Sequence, residues 1–338
     1  MASRSGWVRW AGYLAAAVSV LAAGAAATAW WWLQRPLLLA ADSVELSIEP
    51  GNTPREIAQA WVDAGVQTPP ALLYQWFRWS GQARKIRAGS YEIHAGATPR
   101  SLLEKLVQGR ETLESVRFIE GWTLRQLRAE LARAPQLKPA TAALSDDQLM
   151  AALGAPGVPA EGRFFPDTYA YSRGVSDLTV LRRAHRSMEQ RLAEVWAGRD
   201  AGSPLKSPDE ALALASIVEK ETGRAADRGL VAGVFANRLR IGMPLQTDPT
   251  VIYGLGATFD GNLRKRDLLA DTPFNTYTRG GLPPTPIALP GMASLRAAVR
   301  PDATPALYFV ARGDGSSVFS ETLADHNRAV NKYQRGGK

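Results

Sequence analysis

The longest apolar run of the chain lies near its N-terminus, at residues 11–33, and contains no charged residue. It is rich in alanine and ends in a tryptophan cluster at 30–32. As a helix, 23 residues reach about 34 Å, which is enough to cross the hydrocarbon core of a bilayer. Arg4 and Arg9 precede the run, and basic residues favour the cytoplasmic side, so the pattern predicts a single-pass transmembrane helix with its N-terminus inside.

A cleaved signal peptide is the alternative interpretation of this run, because Ala25-Ala26-Ala27 resembles a cleavage site. The run is longer than a typical signal-peptide core and continues past these small residues, which favours a signal anchor over 11–33. The anchor interpretation leaves residues 1–10 in the cytoplasm and predicts an inner-membrane protein. Either interpretation places the rest of the chain outside the cytoplasmic membrane.

After the apolar run, Arg35-Pro36 begins a predicted short tether, and a pattern of strand, glycine turn and Thr-Pro helix start follows twice. IEPGNTPREIAQAW (48–61) is echoed by IHAGATPRSLLEKLV (93–107). Helix-like ALLYQWFRWS and strand-like AGSYEI lie between the two copies. The order predicts a small β-α-α-β domain over residues 43–110.

Residues 111–338 mix helical periodicity with strand-like and irregular segments, which predicts an α+β fold for a second, larger domain. One segment, 242–291, is dense in Gly, Pro, Thr and Asn and predicts long ordered loops, a frequent location for function. The other predicted elements are short helices over 123–155, helices over 176–196, from Ser207 and over 231–240, a strand hairpin formed by 306–312 and 316–320, and a terminal helix from Leu323.

The composition narrows the function classes. The 338 residues suffice for about two domains, and 46% hydrophobic with 21% charged residues is typical of a globular protein. The net charge of +8 is scattered along the chain, which disfavours nucleic acid and suits an anionic membrane or an acidic polymer. The sequence has no cysteine, and its three histidines are far apart, so we expect no metal site and no cofactor.

The strongest candidate for chemistry is ASIVEKET, residues 215–222, in which Glu219 and Glu221 end an otherwise apolar run. A carboxyl group buried on a helix has a raised pKa and can hold a proton as a general acid. The two glutamates fall on different helix faces, and the pattern does not choose between them. Both could instead be solvated and paired with Lys220 and Arg224.

Aromatic residues form a second candidate feature. Tyr253 and Tyr277 stand in the Gly- and Pro-rich segment beside Asp, Asn, Gln and Thr, and flat rings next to directional hydrogen-bonding groups suit a sugar chain. Phe164 and Phe165 are better explained as core residues.

Several long motifs resemble the MltG (YceG-like) family of endolytic murein transglycosylases. They are EGRFFPDTYAY, ASIVEKET, VFANRLRIGMPLQTDPTVIYGLG, FNTYTRGGLPPTPIALPG and the LYFVA…VFS…HN ending. Together with the 43–110 domain, which is similar to the LysM-like domain of that family, they span nearly the whole chain after the anchor. The sequence departs from the family pattern at three positions: Leu289, Ser317 and Asp325.

The resemblance implies a membrane-anchored enzyme that cleaves nascent peptidoglycan strands internally and thereby terminates their elongation, with peptidoglycan synthases as partners. By its position in the family motif, Glu219 is identified as the catalytic acid. It would protonate the glycosidic oxygen of the MurNAc–GlcNAc bond and then accept the proton of the sugar's own 6-hydroxyl, leaving a 1,6-anhydro end. The expected substrate-binding residues are Gln246, Asp248, Asn275 and Thr276 for hydrogen bonding, with Tyr253 and Tyr277 for stacking.

Two other function classes fit parts of the sequence. A non-catalytic wall-binding scaffold would use the small domain and the aromatic loops to hold glycan, and it would produce no anhydro ends. A pyridoxal-phosphate lyase would use Lys220 as its Schiff-base lysine, but the chain shows no convincing glycine-rich phosphate loop at the start of a helix.

Overall fold

The computed structural model describes residues 4–49 and 51–336. The chain divides into two compact units, one running to Glu114 and including Ser172–Gly174, the other made of Ser115–Tyr171 with the chain from Val175 onward. The helices are α1 (Arg4–Gln34), α2 (Pro54–Asp63), α3 (Pro70–Trp79), α4 (Pro99–Gln108), α5 (Leu124–Arg133), α6 (Asp146–Leu153), α7 (Asp177–Ala197), α8 (Pro208–Glu221), α9 (Arg228–Arg240), α10 (Asp248–Leu255), α11 (Lys265–Leu269), α12 (Met292–Val299) and α13 (Leu323–Tyr333). The strands are β1 (Ser43–Ile48), β2 (Gly89–His94), β3 (Leu113–Arg117), β4 (Thr168–Ser172), β5 (Tyr308–Ala311) and β6 (Ser317–Ser320).

Helix α1 contains the predicted apolar run. Its segment Tyr13–Gln34 is long and apolar enough to cross a membrane, and none of the residues in its most hydrophobic stretch is buried within the described part of the chain. A cleaved signal sequence would pass the same test of length and composition. The helix itself begins earlier than the apolar run, at Arg4, and residues 4–10 contain no proline that would interrupt it.

The first unit builds its core around an antiparallel pair, β1 and β2, whose register runs from Ser43 opposite His94 to Ile48 opposite Gly89. Helices α2 and α3 lie between the two strands in sequence, and α4 follows β2. The predicted strand-helix-helix-strand order is therefore present. The Thr-Pro dipeptides act as expected: Thr53 and Thr98 cap α2 and α4 with reciprocal capping boxes.

The predicted tether after Arg35-Pro36 is wrong, because these residues belong to the packed first unit. The Leu37 N–H donates to the Ala97 carbonyl at 2.7 Å, and the Leu37 side chain is buried in the core of the unit. The Ala40 N–H donates to the Gly65 carbonyl at 2.9 Å. Burial of the Leu37 side chain stabilises this packed connection over a flexible one.

The second unit is organised around α8, whose residues from Ala211 to Val218 are all buried. The helix starts where the sequence predicts, with Ser207 as its N-cap and Pro208 in its first turn. Helices α7, α9, α10 and α12 pack against α8, and its alanines allow a close approach of the neighbouring backbones. A second core cluster in this unit contains Phe164, and both Phe164 and Phe165 are buried, which confirms their prediction as core residues.

The Gly- and Pro-rich segment 242–291 is less irregular than predicted, since it contains helices α10 and α11. Asp248-Pro249 starts α10, so a proline that suggested a loop instead marks a helix N-terminus. The hairpin prediction is confirmed: β5 and β6 pair antiparallel, with Tyr308 opposite Ser320, and α13 begins at the predicted Leu323.

Candidate active site

Helix α8 directs its two candidate glutamates to different surroundings. The Glu221 side chain accepts a hydrogen bond from the Thr247 hydroxyl and faces a cleft of about 460 Å³. The cleft is lined by the end of α8, by α9, by residues 245–248, by β5 and by α13. A volume of this size lies within the range of ligand-binding pockets.

Burial raises the pKa of Glu221 above the ordinary value of a glutamate, because the carboxylate has lost much of its water. The hydrogen bond from Thr247 opposes this by favouring the charged form. Asp248 raises the pKa further by repulsion, and Arg238 lowers it. Glu221 is therefore a carboxyl beside a cleft, in surroundings that favour its protonated form more than water does, as a general acid requires.

A buried hydrogen-bond network holds Thr247, the residue that donates to Glu221, in place. The backbone N–H of Thr247 donates to the Thr276 hydroxyl at 3.1 Å. The Thr250 hydroxyl lies 2.9 Å from the same Thr276 oxygen and donates to the Thr247 carbonyl at 2.7 Å. Because Thr247, Thr250 and Thr276 are all buried, the network fixes the backbone of Thr247, from which its hydroxyl donates to Glu221.

Three of the predicted substrate-binding residues line this cleft: Gln246, Asp248 and Tyr277. The Tyr277 hydroxyl donates to an Asp248 carboxylate oxygen at 2.6 Å. Gln246 is exposed and adopts a left-handed φ of 48°, a conformation that costs a non-glycine residue about 1 kcal/mol or more. Its N–H donates to the Thr276 carbonyl at 3.0 Å, which holds the strained backbone in place.

Asn275 and Thr276 do not reach the cleft, so their predicted contact with glycan has no geometric basis. Asn275 is fully buried, and its Nδ2 lies within 3.3 Å of three carbonyl oxygens at the end of α11 and just beyond it. Its Oδ1 accepts from the Tyr277 N–H. Polar loop residues are good candidates for ligand contacts when only the sequence is known. Here, however, Asn275 and Thr276 form hydrogen bonds with backbone and hydroxyl groups inside the unit.

Tyr253 also lies outside the residues that line the cleft. Its ring packs edge-on against Phe274, with 4.8 Å between centroids, and its hydroxyl donates to Glu161 at 3.1 Å. Glu161 is buried, and its other oxygen accepts from the Leu124 N–H at the start of α5. Burial raises the pKa of Glu161 to about 7, although both hydrogen bonds favour the charged form.

The raised pKa of Glu161 predicts a pH-dependent stability. A folded-state pKa of about 7 against an ordinary 4.5 means that the folded protein binds this proton more tightly. The contribution of this proton to the free energy of unfolding, about 3 kcal/mol in all, is complete below pH 4.5. It is lost as the pH rises through 7. Urea unfolding measured across this range should show the loss for the wild type, and a smaller loss for Glu161→Gln. Identical pH dependence of the two proteins would contradict the prediction.

Glu219 lies away from Glu221 and outside the residues that line the cleft. It is half-buried, and it accepts a hydrogen bond from the Gly291 N–H at 2.9 Å. Gly291 is the N-cap of α12, so the Glu219 carboxylate complements the positive end of that helix.

Glu120 lies nearby, and burial, followed by repulsion from Glu219, raises the pKa of Glu120. The neighbouring Lys220 is exposed, with its Nζ 3.4 Å from the Gly121 carbonyl.

Sequence reasoning missed several residues of the cleft. His326 on α13 stacks on Tyr308, with 5.2 Å between ring centroids, and burial, followed by repulsion from Arg238, lowers the pKa of its imidazole. Arg238 is buried, and its Nε donates to the Leu307 carbonyl at 2.7 Å. Both His326 and Arg238 lie inside motifs that carry the family resemblance, but nothing in their local sequence indicates that they face the same cleft as Glu221.

The three departures from the family pattern have separate locations. Ser317 lines the cleft, and its N–H donates to Asp227 at 2.8 Å. Leu289 is fully buried in a core cluster. Asp325 accepts from the Thr322 hydroxyl at the start of α13 and pairs with Arg328. Ser317 is therefore the departure that would alter the surface offered to a ligand.

The chain is similar to known proteins over most of its length. The model of the YceG-like family matches residues 46–332. An endolytic murein transglycosylase of Bacillus subtilis is 33% identical over 86% of this chain and 85% of its own length. One from Streptococcus pneumoniae is 25% identical, and the chain covers 58% of its length. The crystal structure of a YceG-like protein from Listeria monocytogenes superposes with a TM-score of 0.56 at 28% identity, covering 85% of this chain and 98% of that one.

Proposed function

The chain belongs to the YceG-like family, and on that premise we propose that it is an endolytic murein transglycosylase. The observation that carries the proposal is the Glu221 carboxyl, whose pKa is raised by burial beside a cleft of about 460 Å³. A family member needs one carboxyl that can give up a proton and take one back, and Glu221 has the surroundings for both steps.

We propose Glu221, in place of Glu219, as the catalytic acid. Both belong to the motif that carries the family resemblance, so the resemblance alone separates them poorly. The contact with the α12 N-cap gives Glu219 a structural role, whereas Glu221 faces the cleft together with Gln246, Asp248 and Tyr277. An acid must reach the bond that it protonates, and this favours Glu221.

The proposed reaction uses this one carboxyl twice. Protonated Glu221 donates its proton to the glycosidic oxygen between MurNAc and GlcNAc, and the bond to the anomeric carbon breaks. The 6-hydroxyl oxygen of the same muramyl residue then bonds to that carbon as Glu221 takes the hydroxyl proton. The products are a free GlcNAc hydroxyl and a 1,6-anhydro ring. The nucleophile is part of the substrate, so no water molecule has to be positioned.

The cleft residues have defined roles in this proposal. Gln246 and Asp248 are exposed at its rim and present amide and carboxylate groups to sugar hydroxyl and acetamido groups. Tyr277 supplies a flat ring, and its hydroxyl orients Asp248. His326 and Tyr308, stacked on each other, offer a second aromatic wall on the α13 side.

We also propose how the chain is arranged at the membrane and which partners it meets. Helix α1 would be a signal anchor that keeps residues 1–10 in the cytoplasm and both packed units outside the inner membrane. The first unit after α1 would be the LysM-like domain, and nascent peptidoglycan strands the substrate. Peptidoglycan synthases would be the partners, since they produce the strands that such an enzyme would terminate.

Analysis of the soluble products tests the reaction. Purified full-length protein is incubated with glycan strands, and the released fragments are examined by mass spectrometry. Fragments with 1,6-anhydromuramyl ends support the proposal. Fragments that are one water heavier would indicate a hydrolase, and bound but uncut glycan would indicate a wall-binding scaffold. Either result would overturn it.

A conservative change at Thr247 should alter the pH profile without abolishing activity. Thr247→Val keeps the side-chain shape but removes the hydroxyl that donates to Glu221, a bond that favours the charged carboxylate. The pKa of Glu221 should therefore rise. Because activity requires the protonated acid, the decline of kcat at high pH should move to higher pH. An unchanged profile, measured with the same glycan substrate, would argue against this role of Thr247.

A further inference from the structure

The outer face of α3 carries an apolar stripe that the core of its own unit does not cover. Leu73 and Phe77 point inward and are buried. Leu72 and Trp79, on the adjoining face, are 45% and 75% exposed. With Gln75 and Trp76 they follow the i, i+3, i+4, i+7 spacing of a single helix face. Exposing two large apolar side chains to water on one face indicates a binding surface.

This stripe lies beside the end of α1 and forms a groove with it. The groove has a volume of about 740 Å³ and is lined by the α3 stripe and by residues of α1 between Ala25 and Leu33. Trp30 and Trp31 of α1 are themselves 65% and 51% exposed. Ala25 to Leu33 rises about 12 Å along the helix, so α3 stands next to the last two turns of the apolar span.

The placement of α3 beside this span is fixed by the packed connection described above. Trp32 packs against the core of the first unit, and Leu37 is buried in that core. The Leu37 N–H and the Ala40 N–H are both hydrogen-bonded to the same unit. Without a flexible linker after α1, the depth of α1 in a bilayer also sets the depth of α3.

Cationic groups lie on α3 and directly after it in sequence. Arg78 on α3 and Arg84 and Lys85 just after it are exposed. A second groove of about 460 Å³, which Trp30 and Trp76 also line, contains both Arg100 and Glu104, so the net positive charge comes from the residues on and after α3. Tryptophan at headgroup depth with nearby arginine and lysine is the usual composition of a membrane-interface helix.

We propose that α3 is an interfacial membrane-binding helix, seated among the lipids of the leaflet from which α1 emerges. Leu72 and Trp79 would insert between headgroups and the adjoining part of the acyl chains, and the groove with α1, which half-buried Trp76 also lines, would hold lipid. Arg78, Arg84 and Lys85 would contact anionic headgroups. The proposal rests on the proposed membrane anchor, and it is independent of the reaction assigned to the second unit.

Spin labels at single cysteines test this depth directly, because the sequence contains no cysteine of its own. Full-length Leu72→Cys and Trp79→Cys proteins carry the label on the stripe. Trp30→Cys reports the depth of α1. Gln59→Cys, on the exposed side of α2, is the matched control in the same unit. Each protein is reconstituted into vesicles of phosphatidylethanolamine and phosphatidylglycerol, and collisions with oxygen and with a water-soluble nickel complex are measured.

Labels at 72 and 79 are expected to collide more with oxygen than with nickel, as the label at 30 does, whereas the label at 59 shows the opposite preference. A lipid-exposed label at 30 with water-exposed labels at 72 and 79 would overturn the interfacial helix and leave the anchor intact. A water-exposed label at 30 would overturn both. Dipolar broadening between labels at 79 would show that a second copy of the chain covers the stripe, which would also refute the proposal.

Discussion

Replacing Glu221 with Gln is expected to reduce the formation of 1,6-anhydromuramyl ends by at least ~100-fold. The amide has nearly the same shape and can still accept the hydrogen bond from the Thr247 hydroxyl. It has no exchangeable acid proton, so the leaving oxygen is no longer protonated. Because a neutral amide replaces a carboxyl whose burial is costly when charged, thermal unfolding should be unchanged or slightly improved. Product mass spectrometry and calorimetry measure the two effects.

Glu219→Gln is the matched control, since it is the same substitution two residues away on the same helix. Its amide oxygen can still accept from the Gly291 N–H, and the side chain is not among those that line the cleft. We expect it to retain most of the activity. If Glu219→Gln lost activity and Glu221→Gln kept it, the acid would be Glu219, as the family motif first suggested. The cleft beside Glu221 would then need another role.

Asn275→Ala is expected to lower the stability of the protein and not specifically its affinity for glycan. The substitution removes a fully buried amide whose Nδ2 lies within 3.3 Å of three carbonyl oxygens at and after the end of α11 and whose Oδ1 accepts from the Tyr277 N–H. The free energy of unfolding should fall by about 2–4 kcal/mol. For a unit of this size the melting temperature should fall by roughly 5–10 °C.

Gln246→Asn is the comparison variant for this prediction. Asparagine tolerates the left-handed backbone of residue 246, and its side chain is shorter, so it withdraws the amide from the rim of the cleft. We expect a higher KM for glycan with a melting temperature close to that of the wild type. If Asn275→Ala raised KM at unchanged stability, Asn275 would be a ligand contact after all.

The sequence does not decide whether Glu219 or Glu221 is the acid. Helical spacing separates the two side chains onto different faces but does not say which face meets solvent, a cleft or another helix. The deciding neighbours are Thr247, Gly291 and His326, all far away in sequence. Similarly, Asn275 and Gln246 are both polar residues of one Gly- and Pro-rich segment, and only their burial separates structural from accessible groups.

The sequence by itself determined the apolar N-terminal helix, the Thr-Pro helix starts, the closing hairpin and the family, because each depends on local spacing or on long continuous motifs. The tertiary structure decided which carboxyl faces the cleft, that Leu37 joins α1 firmly to the first unit, and that α3 lies beside the end of the apolar span. These are contacts between distant segments. Their free energy comes from burial and hydrogen bonding among residues that no local pattern brings together.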